Sequence, residues 1–297
     1  MRAFLEVYSS RRLGIRPSTI RTYSFAVRSL ERFLGRKPKL SDFREDLLLR
    51  FLSARLTEAS PKTVKRERAD LLCLWRSAFK LKRTKRRPPD DLPVVRVPRR
   101  NPIAWTPQQV TLIVAECFRL RGLVKGTDIP RRVWWSGLVQ FLYWTGARIS
   151  AALAVSPQDL DLERRTVRFT ADAAKTRWEQ VLALSDQAVV AIAPLYCPHS
   201  ERLFPWHSCE QELFHQYKTI LRRAGLPADR YCMFHALRRT CYTLSTIHGS
   251  AEVAAAQLGH QTDMSAAYLD RTQIHTRQAA DVLPELCLGN VASDWSI

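Results

Sequence analysis

Six residues from position 148 onward are of types that do chemistry on an anion. They are Arg148 in TGARIS, Lys175 in AAKTRWE, His235 and Arg238 in FHALRRT, His260 in LGH and Tyr268 in SAAYLD. Gly146 permits a tight turn, so Arg148 emerges at a helix start, where backbone N–H groups also point at an anion. Lys175 falls on the connection between two strands. His235 and Arg238 stand at i and i+3 and project from one helical face. His260 follows a glycine that ends a helix, and Tyr268 stands eight residues beyond it as the last tyrosine of the chain. A tyrosine hydroxyl has a pKa of about 10 and is mostly protonated at neutral pH. It becomes a useful nucleophile only among cations and a proton acceptor. Each residue alone also has an ordinary reading: a surface arginine, a solvated hairpin lysine, a histidine at a helix C-cap, a core tyrosine with its hydroxyl satisfied.

The elements that must carry these residues are legible around them. Thr106-Pro107 starts a helix, as a cap followed by proline. The run VWWSGLVQFLYWTGARISAALAV is helical and interrupted at Gly146. RTVRFTA alternates as a strand, with Val167 and Phe169 on one face, and EQVLALS follows after a short connection. From DQAVVAIAPL onward the pattern is helical again.

The first ninety residues read as helices throughout. Ser18 precedes a run with Tyr23, Val27, Leu30 and Leu34 at helical spacing, and Ser41 precedes DFREDLLLRFLSARL. Ser60-Pro61 caps KTVKRERADLLCLWRSAFK, whose Val64, Leu71, Leu74 and Trp75 are expected in a core. Then LKRTKRRPPDDLPVVRVPRRNPIAW, with five prolines and eight basic residues, loses helical periodicity. It reads as a linker lying along phosphates. The 297-residue chain carries a formal net charge of +19, and residues 1–100 hold 27 Lys and Arg against 10 Asp and Glu. Residues 101–297 hold 20 against 18, so the excess sits almost entirely in the first third. A polyanion gripped by that third accounts for the asymmetry. Nucleic acid fits better than a membrane, because no long amphipathic helix with a lipidation signal accompanies the charge. The expected contacts are Arg21 on the first helix and Lys62, Lys65, Arg66 and Arg68 on the third. Lys82, Arg83, Lys85, Arg86, Arg87, Arg99 and Arg100 along the linker complete them.

Taken together and in order, Arg148, Lys175, His235-x-x-Arg238, Gly259-His260 and Tyr268 resemble the catalytic set of the tyrosine recombinases, also called the phage integrase family. TGARISAALAVSPQDLDLERRTVRF, FHALRRTCYTLSTIHG and AAAQLGH carry the resemblance most specifically. RPSTIRTYSFAVRSLERFLG and SPKTVKRERADLLCLWRSAF resemble the family's N-terminal core-binding helices.

The resemblance implies a mainly α protein with a small β-sheet, in the α+β class. Residues 1–98 would be a helical core-binding domain ending in a basic linker, and residues 99–297 a catalytic domain with a C-terminal tail. It implies site-specific cleavage and rejoining of double-stranded DNA through a 3′-phosphotyrosyl intermediate, for integration or excision of a mobile element. Arg148 and Arg238 would clamp the non-bridging oxygens, with His235 and His260 as further donors. Lys175 would protonate the departing 5′ oxygen, and Tyr268 would attack. No cofactor and no metal would be needed. The partners would be recombination sites bound by a homo-tetramer on paired sites, the free protein being a monomer or weak dimer. Apolar residues of the tail, Leu283 among them, would pack on a neighbouring protomer. Ala151 stands where the family commonly carries an acidic residue, and the spacing from His260 to Tyr268 is eight where nine is common. The alternatives are a housekeeping resolvase or a type IB topoisomerase-like enzyme and, in another class, a DNA-binding regulator that no longer cuts.

Two further expectations concern compartment and metal. MRAFLEVYSS has no signal-peptide pattern and no run approaches a membrane span, so a soluble cytoplasmic, nucleoid-associated protein is expected. Cys197, His199, His207, Cys209 and His215 are of types that suit zinc, yet their spacing matches no finger pattern. They are expected to be core cysteines and surface histidines.

Overall fold

The structure, a computed structural model, describes residue 4 and residues 17–90, 92–98, 103–171, 179–259 and 283–285. It is mainly helical with one small antiparallel sheet. The chain divides into two compact units, Met1–Arg100 and Asn101–Ile297.

The first unit is built on α1 (Pro17–Leu34), α2 (Glu45–Glu58) and α3 (Pro61–Lys80). Ser60 caps α3 by accepting from the Thr63 N–H at 3.3 Å, with Pro61 at the first helical position. α1 and α2 both pack on α3, burying Val27, Leu30, Phe51, Val64, Leu71, Leu74 and Trp75. The start of α2 differs from expectation. Ser41 lies in a 3-10 turn, Leu40–Asp42, and the helix begins after Arg44. Asp42 accepts from both Nη atoms of Arg36 at 2.8 Å and from the Lys39 N–H at 2.7 Å. Its carboxylate caps the turn, so the residue after Ser41 closes a loop rather than opening a helix.

Described residues 81–98 form no helix or strand, yet they are not simply extended in solvent. Leu92 and Val95 are buried in the core of the first unit. Trp75 Nε1 donates to the Arg86 carbonyl at 2.9 Å, and Arg68 Nη2 donates to the Leu92 carbonyl.

In the second unit α4 (Pro107–Phe118) opens with a capping box between Thr106 and Gln109. It packs on α5 (Arg131–Thr145), the central helix, in which every residue from Val133 to Thr145 is buried. A helix apolar on all sides demands a complete shell. α4, α7 (Asp186–Ile192) and α9 (Phe234–His248) supply much of it. After the short α6 (Ile149–Ala152) comes the sheet, in order β1 (Leu160–Asp161), β2 (Thr166–Phe169), β3 (Gln180–Ala183). Val167 pairs with Leu182 and both are buried, which fixes the register by the alternation seen in the sequence. The two-residue β1 was not anticipated. α8 (Glu210–Arg223) and α10 (Ala251–Leu258) complete the unit, α10 against α9.

Leu283 corrects one expectation: it is buried in its own chain's core, and the Tyr143 hydroxyl donates to the Pro284 carbonyl at 3.0 Å. No helix among the described residues is long and apolar enough to cross a membrane.

Candidate active site

Arg238 is the best-defined member of the expected set. It lies on α9 and is 9% exposed, so its guanidinium is largely out of water. Nη1 donates to the Gly146 carbonyl at 2.6 Å and Nη2 to the Leu258 carbonyl at 2.7 Å. Both acceptors sit at helix C-termini, Gly146 capping α5 and Leu258 ending α10. The last carbonyls of a helix lack intrahelical partners and carry its negative partial charge, so two helix ends converge on one cation. Gly146 and Gly259 make that convergence possible. Both adopt left-handed conformations, with φ of 60° and 62°. A Cβ on Gly146 would stand 3.0 Å from Cys241 Sγ and from Leu258 Cδ1.

Arg148 is the N-cap residue of α6, partly exposed, two residues after Gly146. Burial, and then the charge of Arg148, push the Arg238 guanidinium from 12.5 down to about 10. It stays a cation at neutral pH, but one that is desolvated and repelled by a neighbouring cation. An anion placed between Arg148 and Arg238 relieves both effects at once. His235, one turn before Arg238 on α9, is exposed, so the pair contributes one seated cation and one solvent-facing imidazole. Arg148, His235 and Arg238 thus come from the ends and faces of α5, α6 and α9. Lys175, His260 and Tyr268 lie outside the described residues. Ala151, where the family commonly has an acid, is buried in the core.

Two residues of the surrounding network were not anticipated. Gln257, 1% exposed, donates from Nε2 to the Trp144 carbonyl at 3.0 Å. Gln180 on β3 donates from Nε2 to the Ala256 and Gln257 carbonyls at 2.8 and 3.1 Å. The glycines are legible in the sequence as helix stops, and the structure places both at helix ends. The glutamines carry no local signal, because their partners lie 113, 76 and 77 residues away.

The expected DNA contacts divide by geometry. Arg21, Lys62, Lys65 and Arg66 are exposed on α1 and α3, as are Lys82, Arg83, Lys85, Arg86 and Arg87 beyond α3. Arg66 is paired with Asp70 at 3.0 Å and Arg87 with Asp90 at 2.9 Å. Arg68 is half-buried and turned to Leu92, so it braces the chain instead of presenting its charge. Arg99 and Arg100 lie outside the described residues. Cys197 and Cys209 are exposed, which corrects their expected place in a core, and His199, His207 and His215 are exposed with them. Among the described residues no three His, Cys, Asp or Glu come together as a metal-binding group.

Comparison with known proteins gives the same direction as the site. The model of the phage integrase family matches residues 106–273. The Corynebacterium glutamicum tyrosine recombinase XerD is 31% identical over 192 residues, 60% of this chain and 60% of that protein. The Yersinia pestis tyrosine recombinase XerD is 28% identical over 174 residues, 54% of each. The chain therefore spans less than two thirds of either relative. Among solved structures, a lambda integrase tetramer bound to a Holliday junction superposes with a TM-score of 0.68 at 15% identity, covering 89% of this chain and 76% of that one. XerH site-specific recombinase bound to difH substrate, in a pre-cleavage complex, gives 0.61 at 17% identity, covering 94% and 80%. Identities this low establish a shared fold.

Proposed function

Since the chain belongs to the phage integrase family, whose model matches residues 106–273, we propose that it is a tyrosine-type recombinase that cuts and rejoins DNA at specific sites. The observation that carries this is the pair Arg148 and Arg238: neighbouring cations, one of them buried and seated on two helix-end carbonyls, an arrangement suited to holding a phosphate. Cleavage of a phosphodiester passes through a five-coordinate phosphorus with added negative charge on its oxygens. Guanidinium groups suit that charge because they stay protonated and match phosphate geometry. Each well-placed donor is typically worth about 10²–10³ in rate.

In this reading Tyr268 gives up its hydroxyl proton to solvent and attacks the phosphorus, forming a P–O bond to its own oxygen as the bond to the 5′ oxygen breaks. Lys175 delivers the proton that makes the departing 5′ hydroxyl. The tyrosyl ester keeps the energy of the broken bond, and attack by a 5′ hydroxyl of another strand reverses the step. His235 and His260 add donors to the non-bridging oxygens. Residues 1–98 grip the duplex through α1, α3 and the basic segment, and four copies act on two paired sites. Support for the assembly comes from the likeness to a recombinase tetramer on a junction. The sites are taken to be the ends of a mobile element.

Covalent capture tests the proposal. Nicked duplexes from a random-sequence pool, incubated with the protein in EDTA and without ATP, should yield a protein–DNA adduct that survives denaturation. Tight binding with no adduct would make the chain a DNA-binding regulator. The captured sequence then discriminates among roles: a match beside the coding sequence fits a mobile element, whereas one distant chromosomal site fits a housekeeping resolvase.

The charge asymmetry makes a second expectation. Residues 1–100, a compact unit with its own core, should bind duplex DNA alone. Log affinity should fall linearly with log salt, by about 0.9 per phosphate neutralised. Salt-insensitive binding would leave the basic residues as solvated surface only.

A further inference from the structure

The described carbonyls that end α10 account for the placement of Arg238, and they lead to a residue on the sheet. α10 has eight residues, too few to be stable without outside contacts. Its last four carbonyls belong to Ala255, Ala256, Gln257 and Leu258, and none can be satisfied by a further turn. The Gly259 N–H serves Ala255 and Ala256. Gln180 Nε2 serves Ala256 and Gln257 at 2.8 and 3.1 Å. Leu258 is left to Arg238, at 2.7 Å. Gln180 therefore acts as a cap delivered from β3 onto a helix distant in sequence. Gln180 also presses on the turn itself, since a Cβ at Gly259 would lie 2.6 Å from its Oε1. On the other side Gln257 fastens the same turn to the Trp144 carbonyl at the end of α5.

We propose that Gln180 is a positioning residue for Arg238: it fixes the carboxyl end of α10, and so the Leu258 carbonyl that holds one arm of the guanidinium. The inference rests on the reading of Arg238 as a phosphate clamp. Gln180 touches no reacting atom in this scheme. Its effect is to keep one of Arg238's two main-chain anchors in register with the other, the Gly146 carbonyl. A displacement of about 1 Å in a group that binds a transition state can cost up to about 10²-fold in rate.

The experiment uses the full chain and nicked duplexes selected by covalent capture on the wild-type protein. Gln180→Leu removes both N–H donors at similar length, and should slow single-turnover cleavage at saturating DNA by up to about 10²-fold while DNA affinity stays unchanged. Gln180→Lys restores a donor, with a charge favoured at a helix C-terminus, and should recover most of the rate. Gln180→Glu keeps the shape but only accepts; it should resemble the leucine variant and replaces it if that variant does not fold. The decisive readout replaces one non-bridging oxygen of the scissile phosphate by methyl, which removes the charge that Arg238 neutralises. Arg238→Ala and the donor-less Gln180 variant should both move toward wild type on that substrate. Recovery of Arg238→Ala without recovery of the Gln180 variant would overturn the proposal, because Gln180 would then act elsewhere. If Arg238→Ala itself fails to recover, the clamp reading falls and the inference falls with it. A Gln180→Lys variant as slow as Gln180→Leu would also overturn it.

Discussion

Replacing Tyr268 with phenylalanine should abolish the covalent protein–DNA adduct while leaving duplex affinity unchanged. The change removes one hydroxyl and leaves every cation in place, so chemistry is lost while the charge that binds DNA is kept. The other tyrosines of the catalytic unit set the strength of the test. Tyr143 is buried, its hydroxyl donates to the Pro284 carbonyl, and burial raises its pKa far from the range of a usable nucleophile. Tyr217 is buried between Trp135 and Phe234, and burial holds its hydroxyl well above the ordinary value. Neither can reach a phosphate without unfolding the core. The credible substitutes are Tyr196, exposed after α7, Tyr231, just before α9, and Tyr242, which packs partly against the core from α9 itself. Peptide mapping of the wild-type adduct should return Tyr268. An adduct that persists in Tyr268→Phe and maps to Tyr196, Tyr231 or Tyr242 would overturn the assignment of the nucleophile.

What could be read in advance differs between local and distant interactions. Ser60-Pro61 and Thr106-Pro107 were legible as helix starts because the cap and its N–H partner lie three residues apart. Gly146 was legible as a stop because a left-handed cap is a property of that one residue. Ser41 misled, since the same cap chemistry also closes a 3-10 turn, and Asp42 had a nearer partner in Arg36. Arg68 reads as outward-facing beside Lys62, Lys65 and Arg66, and its link to the Leu92 carbonyl is invisible locally because it joins residues 24 apart. The site follows the same division. Arg148, His235 and Arg238 stood out by type and order, but nothing local indicated that Arg238 would be seated on the carbonyls of two other helices. Those partners are main-chain atoms, and any sequence supplies them. Only the fold says which ones converge.

That seating leads to the second large expectation, for Arg238→Lys. Two of the guanidinium's N–H bonds are committed to Gly146 and Leu258, through different nitrogens. An arginine has five N–H donors in a plane and can keep both anchors while presenting others to a phosphate. A lysine has three donors on one nitrogen, so holding both carbonyls leaves at most one for substrate. Loss of donors aimed at the developing charge should slow cleavage by about 10²–10³. The variant's dependence on pH should differ as well. Burial and the charge of Arg148 lower the Arg238 pKa from 12.5 to about 10, so the wild-type cation persists through neutral pH. The same influences act on a lysine that begins at about 10.4. Both disfavour the charged form, so its proton leaves at lower pH than that of the arginine. The ratio of wild-type to variant rate should therefore widen as pH rises over roughly 7 to 9. Ionisation of the attacking tyrosine affects both proteins and cancels in the ratio. A large defect that stays constant over this range would mean that geometry alone distinguishes the two side chains. A defect below tenfold would remove Arg238 from the phosphate altogether, and the two helix ends would then be holding a cation for the sake of the fold.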